Sequence, residues 1–242
     1  MGRHGTIAGR KAAQDSKRAA MFTKYARIIT VAAKDGGDPE YNAALRLAIE
    51  KAKAISMPND NITRAIKKGT GELAGETYEE LRFEGYGVSG VAVIVEALTD
   101  NNNRTASFIR STFDKYGGNL GSPGCVSYMF ARKGLIVIEK TDEIDEDALM
   151  EAALEAGADD MVVAEDCFEI YTEPSVHPEV HQALIDAGYE FVDSDIDMVP
   201  SMESTPSGAD DIKKLSKMIE ILEDNDDVQK VYTNCSIDLF EE

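Results

Sequence analysis

The first 34 residues carry eight lysines and arginines against the single acid Asp15. Cationic side chains at this density are typical of surfaces that bind the phosphates of nucleic acids, although a charged helix face is more often simply solvated. A polar turn further along, around Asn103, could add hydrogen bonds to bases or backbone. The predicted nucleic-acid-binding set is Arg3, His4, Arg10, Lys11, Lys17, Arg18, Lys24, Arg27, Lys34, Lys67, Lys68, Asn103 and Arg104.

The rest of the chain has the opposite charge. Residues 134–242 hold five bases and 31 acids, and the formal net charge of the whole chain is −20. An acidic surface repels phosphate, so it would turn the basic N-terminal segment toward a nucleic acid. Basic partner proteins are the alternative ligands for the acidic part.

A glycine pattern resembles a cofactor motif. Gly85, Gly87 and Gly90 form G-x-G-x-x-G, but the apolar residues 91–95 that follow read as a strand. The dinucleotide motif instead opens a helix, whose N-terminus holds the pyrophosphate. We therefore interpret the glycines as a turn and predict no cofactor.

Two further patterns could bind metals. His177 and His181 are four residues apart, and Asp193, Asp195 and Asp197 resemble the start of a calcium loop. The later positions of that loop carry the wrong residues, so we interpret the aspartates as a solvated strand face and the histidines as surface residues. No nucleophile motif is recognisable either. The sequence predicts no metal, no catalytic residue and no enzymatic activity.

The three cysteines argue for a reducing compartment. Cys125, Cys167 and Cys235 are odd in number and form no Cys-x-x-Cys pair. The apolar stretches are shorter than the ~20 residues that span a bilayer, and no apolar signal core follows the N-terminus. We expect a cytoplasmic protein without membrane contact, and we favour a monomer.

The first 74 residues have the periodicity of helices. Apolar residues between Phe22 and Ala33 recur at three- and four-residue spacing, which predicts an amphipathic helix with basic residues on its other side. Glycines at 36 and 37 would end it, and Asp38, which precedes a proline, is the expected N-cap of a second helix. A third helix should end at Gly69.

After Gly75 the pattern changes to alternating strands and helices. A strand at 91–95, a helix capped within 101–103 and a strand at 125–130 form one β-α-β unit. Residues 134–199 follow the order β-α-β-β-α-β of a ferredoxin-like module. The C-terminal helix and strand would complete the first unit.

We therefore predict an α+β multidomain protein, with an N-terminal helical bundle followed by two α/β-sandwich (ferredoxin-like) domains, one inserted in the other. The predicted domains are 1–74, 75–133 plus 206–242, and 134–205. Three sequential domains are the alternative, but a lone C-terminal helix and strand would then expose its apolar side.

Short motifs occur along nearly the whole length of the chain. They are residues 10–15, 17–18, 22–24, 32–33, 36–39, 42, 45–46, 52–53, 57–58, 60–62, 64–66, 84–87, 99–101, 103–105, 117–121, 126–128 and 130. In these motifs the sequence resembles the YebC family of bacterial and organellar gene-expression regulators. It departs from the family at residues 5–7, where the usual Ser-Lys-Trp is Gly-Thr-Ile, and at 88–89, where the usual Pro-Gly is Val-Ser.

The resemblance implies a cytoplasmic, three-domain, non-enzymatic protein with nucleic acid as its partner. Family members are described as DNA-binding transcriptional regulators, and relatives as ribosome-associated translation factors that relieve stalling at proline-rich sequences. The leading hypothesis is a regulator that contacts DNA or ribosomal RNA through the basic helical domain. The alternatives are a translation factor that binds rRNA or tRNA and a ferredoxin-like sensor of a small molecule. No convincing helix-turn-helix is visible, which leans slightly toward RNA.

Overall fold

The computed structural model describes residues 18–239, and three helices come first. Apolar residues spaced along them, centred on Ile29, Leu45 and Ile62, form one buried core. The predicted apolar stripe of the first helix, from Phe22 to Ala33, is confirmed by this packing. The helices are α1 Arg18–Ala32, extended by the 3-10 turn Ala33–Asp35, α2 Ala43–Ala54 and α3 Asn59–Gly69, and we call them the helical domain.

The N-cap of α2 is Asn42, and the prediction of Asp38 was wrong. Asn42 Oδ1 accepts a hydrogen bond from Leu45 N at 3.0 Å, and its Nδ2 donates to the carbonyls of Ala32 and Gly36 at 2.7 and 2.8 Å. The Asn42 side chain thus binds a free backbone N–H group at the start of α2 and free carbonyl groups at the end of the preceding helix. Asp38 only closes a local turn.

A first antiparallel sheet follows, which with its two helices we call the first sandwich. Its strand order is β3-β1-β2-β8, so the last strand of the chain lies beside β2. Val93 and Val95 of β2 face the two helices, while Ala92 and Ile94 pack on the other side. The elements are β1 Glu79–Tyr86, β2 Ala92–Thr99, α4 Asn102–Lys115, β3 Asn119–Leu120, α7 Ala209–Glu223 and β8 Val228–Thr233.

The strand predicted at residues 125–130 does not form. This segment contains the 3-10 turn Ser127–Met129, and the next strand begins only at Phe130. The buried carboxylate of Glu84 accepts the backbone N–H groups of Val126 and Ser127 at 3.1 and 2.9 Å, which holds the segment as a turn. Glu84 lies in β1, a strand that the sequence analysis missed although Leu81 and Phe83 alternate with charged residues, as in a half-buried strand.

The second sheet forms the inserted sandwich, and its order is β5-β6-β4-β7 with all pairs antiparallel. The predicted β-α-β-β-α-β order and the fold class are confirmed. Ile136, Leu149, Phe168 and Leu184 belong to its core. The elements are β4 Phe130–Glu139, α5 Glu146–Glu155, β5 Asp160–Val163, β6 Cys167–Thr172, α6 His177–Asp186 and β7 Asp193–Pro200.

The three domains meet at an ionic cluster, so the prediction of a solvated aspartate face on β7 was wrong for Asp195 and Asp197, whereas Asp193 is exposed. Lys230 Nζ on β8 lies 2.8 Å from Asp197 Oδ1 on β7, and Asp197 is only 5% exposed. Lys51 Nζ on α2 lies 2.7 Å from Asp195, which also pairs with Lys230. We call Lys51, Asp195, Asp197 and Lys230 the interdomain cluster.

Candidate nucleic-acid interface

Part of the predicted basic set lies outside the described residues. Arg3, His4, Arg10, Lys11 and Lys17 precede residue 18, and their assignment stays a prediction. Arg18 opens α1, and its side chain is likewise outside the description.

Arg27 faces the C-terminal part of the chain instead of solvent. Its Nη1 lies 2.5 Å from Asp227 Oδ1 and donates to the carbonyls of Leu98 and Asp226, both at 2.9 Å. The Arg27 side chain is 13% exposed, and that of Asp227 is 6% exposed. The charge of Arg27 is therefore already neutralised within the fold.

Arg104 shares the same carboxylate. Its Nη2 lies 2.8 Å from Asp227 Oδ2 and 2.7 Å from Asp100 Oδ1, and Thr105 Oγ1 donates to Asp227 Oδ2 at 2.7 Å. Burial alone would raise the pKa of Asp227, but the hydrogen bonds from Arg104, Thr105 and Arg27 outweigh it and lower the pKa to about 2. Asp227 thus joins the helical domain to the first sandwich.

Lys24 of α1 and Lys34 of its 3-10 extension also contact residues outside the helical domain. Lys24 Nζ donates to the Glu223 carbonyl at 2.7 Å, and Lys34 Nζ lies 3.4 Å from the Tyr78 carbonyl oxygen. The described basic side of α1 is therefore a docking surface for the acidic body, and attraction between opposite charges explains this packing. Asn103, by contrast, is exposed in the first turn of α4.

Helix α3 carries basic residues on an exposed face. Arg64, Lys67 and Lys68 have the spacing that places side chains on one side of a helix. Arg64 and Lys67 are exposed, and within residues 18–239 neither forms an ion pair. Lys68 is half-buried and its Nζ lies 3.9 Å from Glu76. The sequence analysis missed Arg64, although this spacing could have revealed it.

A groove runs between α1 and α3 beside this basic face. Its volume is about 300 Å³. Aromatic, amide and cationic side chains alternate around it. We call it the α1–α3 groove, and its lining includes Phe22, Arg27, Asn61, Arg64, Lys68 and Tyr78.

Comparison with protein families matches almost the whole chain. Residues 3–72 match the model described as TACO1/YebC protein N-terminal domain, and residues 78–235 match TACO1/YebC second and third domain. The chain belongs to the TACO1/YebC family. A Clostridioides difficile (strain 630) relative is 54% identical and covers 98% of this chain and 100% of its own, and a Geobacillus sp. (strain WCH70) relative is 55% identical with 98% and 96% covered. Each carries the name "probable transcriptional regulatory protein".

The fold of this TACO1/YebC protein is also similar to a solved one. The crystal structure of a conserved hypothetical protein from Aquifex aeolicus superposes with a TM-score of 0.84, at 43% identity and with 95% of both chains covered. The order of a helical region followed by sheet domains is therefore shared within the TACO1/YebC family.

The histidine pair of this TACO1/YebC protein serves packing. His177 is 8% exposed, so the prediction of a surface residue was wrong for it. Both rings contact Ser194 Oγ, from His181 Nδ1 at 2.7 Å and from His177 Nε2 at 3.2 Å. Burial lowers the pKa of both histidines. Over residues 18–239 no group of three or more potential ligands could hold a metal ion, and no helix is long and apolar enough to cross a membrane.

Proposed function

We propose that this TACO1/YebC protein is a non-enzymatic regulator of gene expression that binds nucleic acid through its N-terminal basic segment and the exposed basic face of α3. The observation that carries the proposal is the division of cations on the helical domain. Arg27 and Lys24 contact the acidic C-terminal part of the chain. Arg64 and Lys67, in contrast, are exposed and form no ion pair with the described residues.

The contacts of α1 also fix the orientation of the helical domain relative to the acidic domains. Because α1 is docked on the first sandwich, the basic face of α3 is held in a defined position relative to the acidic domains. The acidic domains repel phosphate, so a nucleic acid would approach from the helical side. The relatives' names support a role in transcription, and the choice between promoter DNA and ribosomal RNA is left to experiment.

The test is the salt dependence of binding by the full chain to duplex DNA and to ribosomal RNA fragments. Each lost phosphate contact lowers the log–log slope by about 0.9 on a duplex and about 0.7 on a single strand. The triple variant Arg64→Gln, Lys67→Gln, Lys68→Gln should therefore lose a slope of about 2 to 3.

The matched control removes three exposed lysines from α7, which belongs to the acidic part of the chain, through Lys213→Gln, Lys214→Gln and Lys217→Gln. Equal weakening by both triple variants would mean that only the net charge matters, and the proposal would fail. A variant with Gln at positions 3, 10, 11 and 17 tests the basic segment in the same way.

Association with ribosomes is the first alternative. Co-sedimentation that persists after DNase treatment and in moderate salt would favour a translation factor, and the triple variant of α3 should weaken that association as well. Cytoplasmic location and the monomeric state stay predictions.

A small-molecule sensor is the second candidate, favoured by a cleft of about 780 Å³ where the three domains meet. Arg82, Arg132 and Lys230 line this cleft together with apolar residues such as Leu81 and Ile196. This volume lies within the usual range of ligand pockets, about 300–1,000 Å³. Saturable thermal stabilisation by a metabolite, without nucleic-acid binding, would favour this candidate over the first.

A further inference from the structure

We infer that the α1–α3 groove holds an unpaired base of an RNA loop, stacked against Phe22 and Tyr78, while Arg64 and Lys68 contact the adjoining phosphates. The inference deepens the proposed function and rests on it. The proposed function requires only the charged face of α3. The inference adds a ligand for the groove beside that face.

The aromatic side chains provide the first step. Phe22 on α1 and Tyr78 before β1 line the groove and are both partly exposed. Proteins bind unpaired bases by stacking them on such rings, because every base has a π-face. Phe22 packs against the core of the helical domain and is only half-buried, so part of its ring is accessible from the groove.

The Tyr78 ring is held in place by residues already described. The guanidinium of Arg27 lies 5.3 Å from the ring centroid, and Arg27 is itself fixed by Asp227. The hydroxyl group of Tyr78 donates to Glu76 Oε2 at 3.3 Å. A ring restrained on one face by a cation and at its tip by a carboxylate loses little entropy when a base stacks on it.

Polar groups complete the groove in the pattern expected for a nucleotide. The side-chain amide of Asn61 lines it and, within the described part of the chain, makes no side-chain hydrogen bond, so both its donor and its acceptor can meet a base edge. Arg64 and Lys68 lie on the same helix, about one and two turns of α3 further on. Aromatic, amide and cationic side chains thus line one groove, and this combination suits a base together with its phosphate.

The shape of the site favours an unpaired base over a duplex. A groove of about 300 Å³ is concave, whereas duplex readout requires an element that projects into the major groove. Extruding a base from a duplex costs a few kcal/mol, a cost that RNA loops and bulges avoid because their bases are already unpaired. An RNA loop is therefore the ligand that fits.

The test uses the full chain and an RNA hairpin whose loop carries a 2-aminopurine. Since the chain has no tryptophan, fluorescence of this base reports stacking without interference from indole. We expect quenching on binding, and we expect an abasic residue at that loop position to weaken binding about 10- to 100-fold. The abasic arm uses the unaltered protein, so it does not depend on the folding of any variant.

Variants assign the effect to the groove. Phe22→Leu and Tyr78→Leu keep an apolar side chain but remove the ring, and each should weaken binding of the intact hairpin while leaving the abasic hairpin unaffected. Tyr41→Leu is the matched control, because Tyr41 is an aromatic residue of the helical domain that is 88% exposed and lies outside the groove. Glu76→Gln removes the negative charge near Lys68 but keeps a side-chain oxygen that can accept from the Tyr78 hydroxyl group, and it should tighten binding.

The outcomes separate this inference from the proposed function. Salt-dependent binding with no loss on the abasic hairpin would overturn the base pocket and leave the proposed function intact. Equal or tighter binding of duplex DNA, or of a DNA bubble with the loop sequence, would overturn the assignment to RNA. Absence of binding to every nucleic acid would overturn both.

Discussion

Lys230 Nζ on β8 lies 2.8 Å from Asp197 Oδ1 on β7, so an ion pair joins the first sandwich directly to the inserted one. Tyr232 OH reinforces it by donating to the same oxygen at 3.2 Å. Burial would lower the pKa of Lys230, but the carboxylates of Asp197 and Asp195 outweigh burial and raise it. Lys230 is therefore a permanent cation between two domains that share only a few other strand contacts.

We predict that Lys230→Met destabilises the protein by about 2 kcal/mol. The substitution leaves the buried carboxylate of Asp197 without its cation, and an unpaired buried charge costs more than the ion pair contributed. Urea unfolding followed by circular dichroism measures the change. Lys217→Met removes an exposed pair with Glu220 and should have a much smaller effect, because exposed ion pairs contribute little. Equal losses in both variants would contradict a special role for Lys230.

Because the pKa of Asp227 is low, we predict that the contact between the helical domain and the first sandwich weakens in acid. Its pKa is about 2 in the fold and near 3.9 in an unfolded chain. Because the folded value is the lower one, the carboxylate stabilises the fold by roughly 2 kcal/mol above pH 4, and this contribution is lost as the pH falls toward 2.

The measurement compares Asp227→Asn with the unaltered chain in urea at pH 7, 5 and 3.5. The difference in unfolding free energy should be constant between pH 7 and 5 and shrink below pH 4. Asp226→Asn, at the exposed neighbouring residue, is the control for the loss of a surface carboxylate. A difference that grows on acidification would have the wrong sign and would exclude this role for Asp227.

Gly69 marks the closest approach of α1 and α3. A Cβ atom there would lie 2.6 Å from the Ala33 Cβ and closer still to the Thr30 carbonyl oxygen. We expect Gly69→Ala to destabilise the helical domain by about 1–2 kcal/mol, because overpacking outweighs the gain in helix propensity. Gly208→Ala, where a Cβ meets nothing within 4 Å, should cost well under 1 kcal/mol in the same thermal melts.

The elements of the inserted sandwich were predicted correctly because short-range sequence patterns determine them. The order of β4, α5, β5, β6, α6 and β7 could be read from the sequence because each element has its own periodicity and turn residues. β1 was missed although Leu81 and Phe83 alternate with charged residues in the pattern of a strand. The buried role of Glu84 could not be predicted, because it depends on a turn more than 40 residues away.

At the candidate site, too, contacts between residues far apart in the sequence could not be predicted. The basic stripe of α1 was visible in the sequence, but its partner was not, because Arg27 and Asp227 are 200 residues apart. Periodicity places a side chain on one side of a helix and does not say whether solvent or another domain lies there. Exposure of Arg64 and burial of Arg27 follow from tertiary packing alone.

A substitution at Arg104 tests whether this cation stabilises the fold or binds phosphate. Its guanidinium is held by Asp100 and Asp227, so we expect Arg104→Gln to lower the free energy of unfolding through the loss of hydrogen bonds to a buried carboxylate. The salt slope for nucleic-acid binding should stay unchanged, because no phosphate contact is lost. Unfolding in urea and a salt titration on the same preparation measure both quantities. A slope reduced by about 0.7 to 0.9 would instead return Arg104 to the phosphate-binding set, as its basic charge alone had suggested.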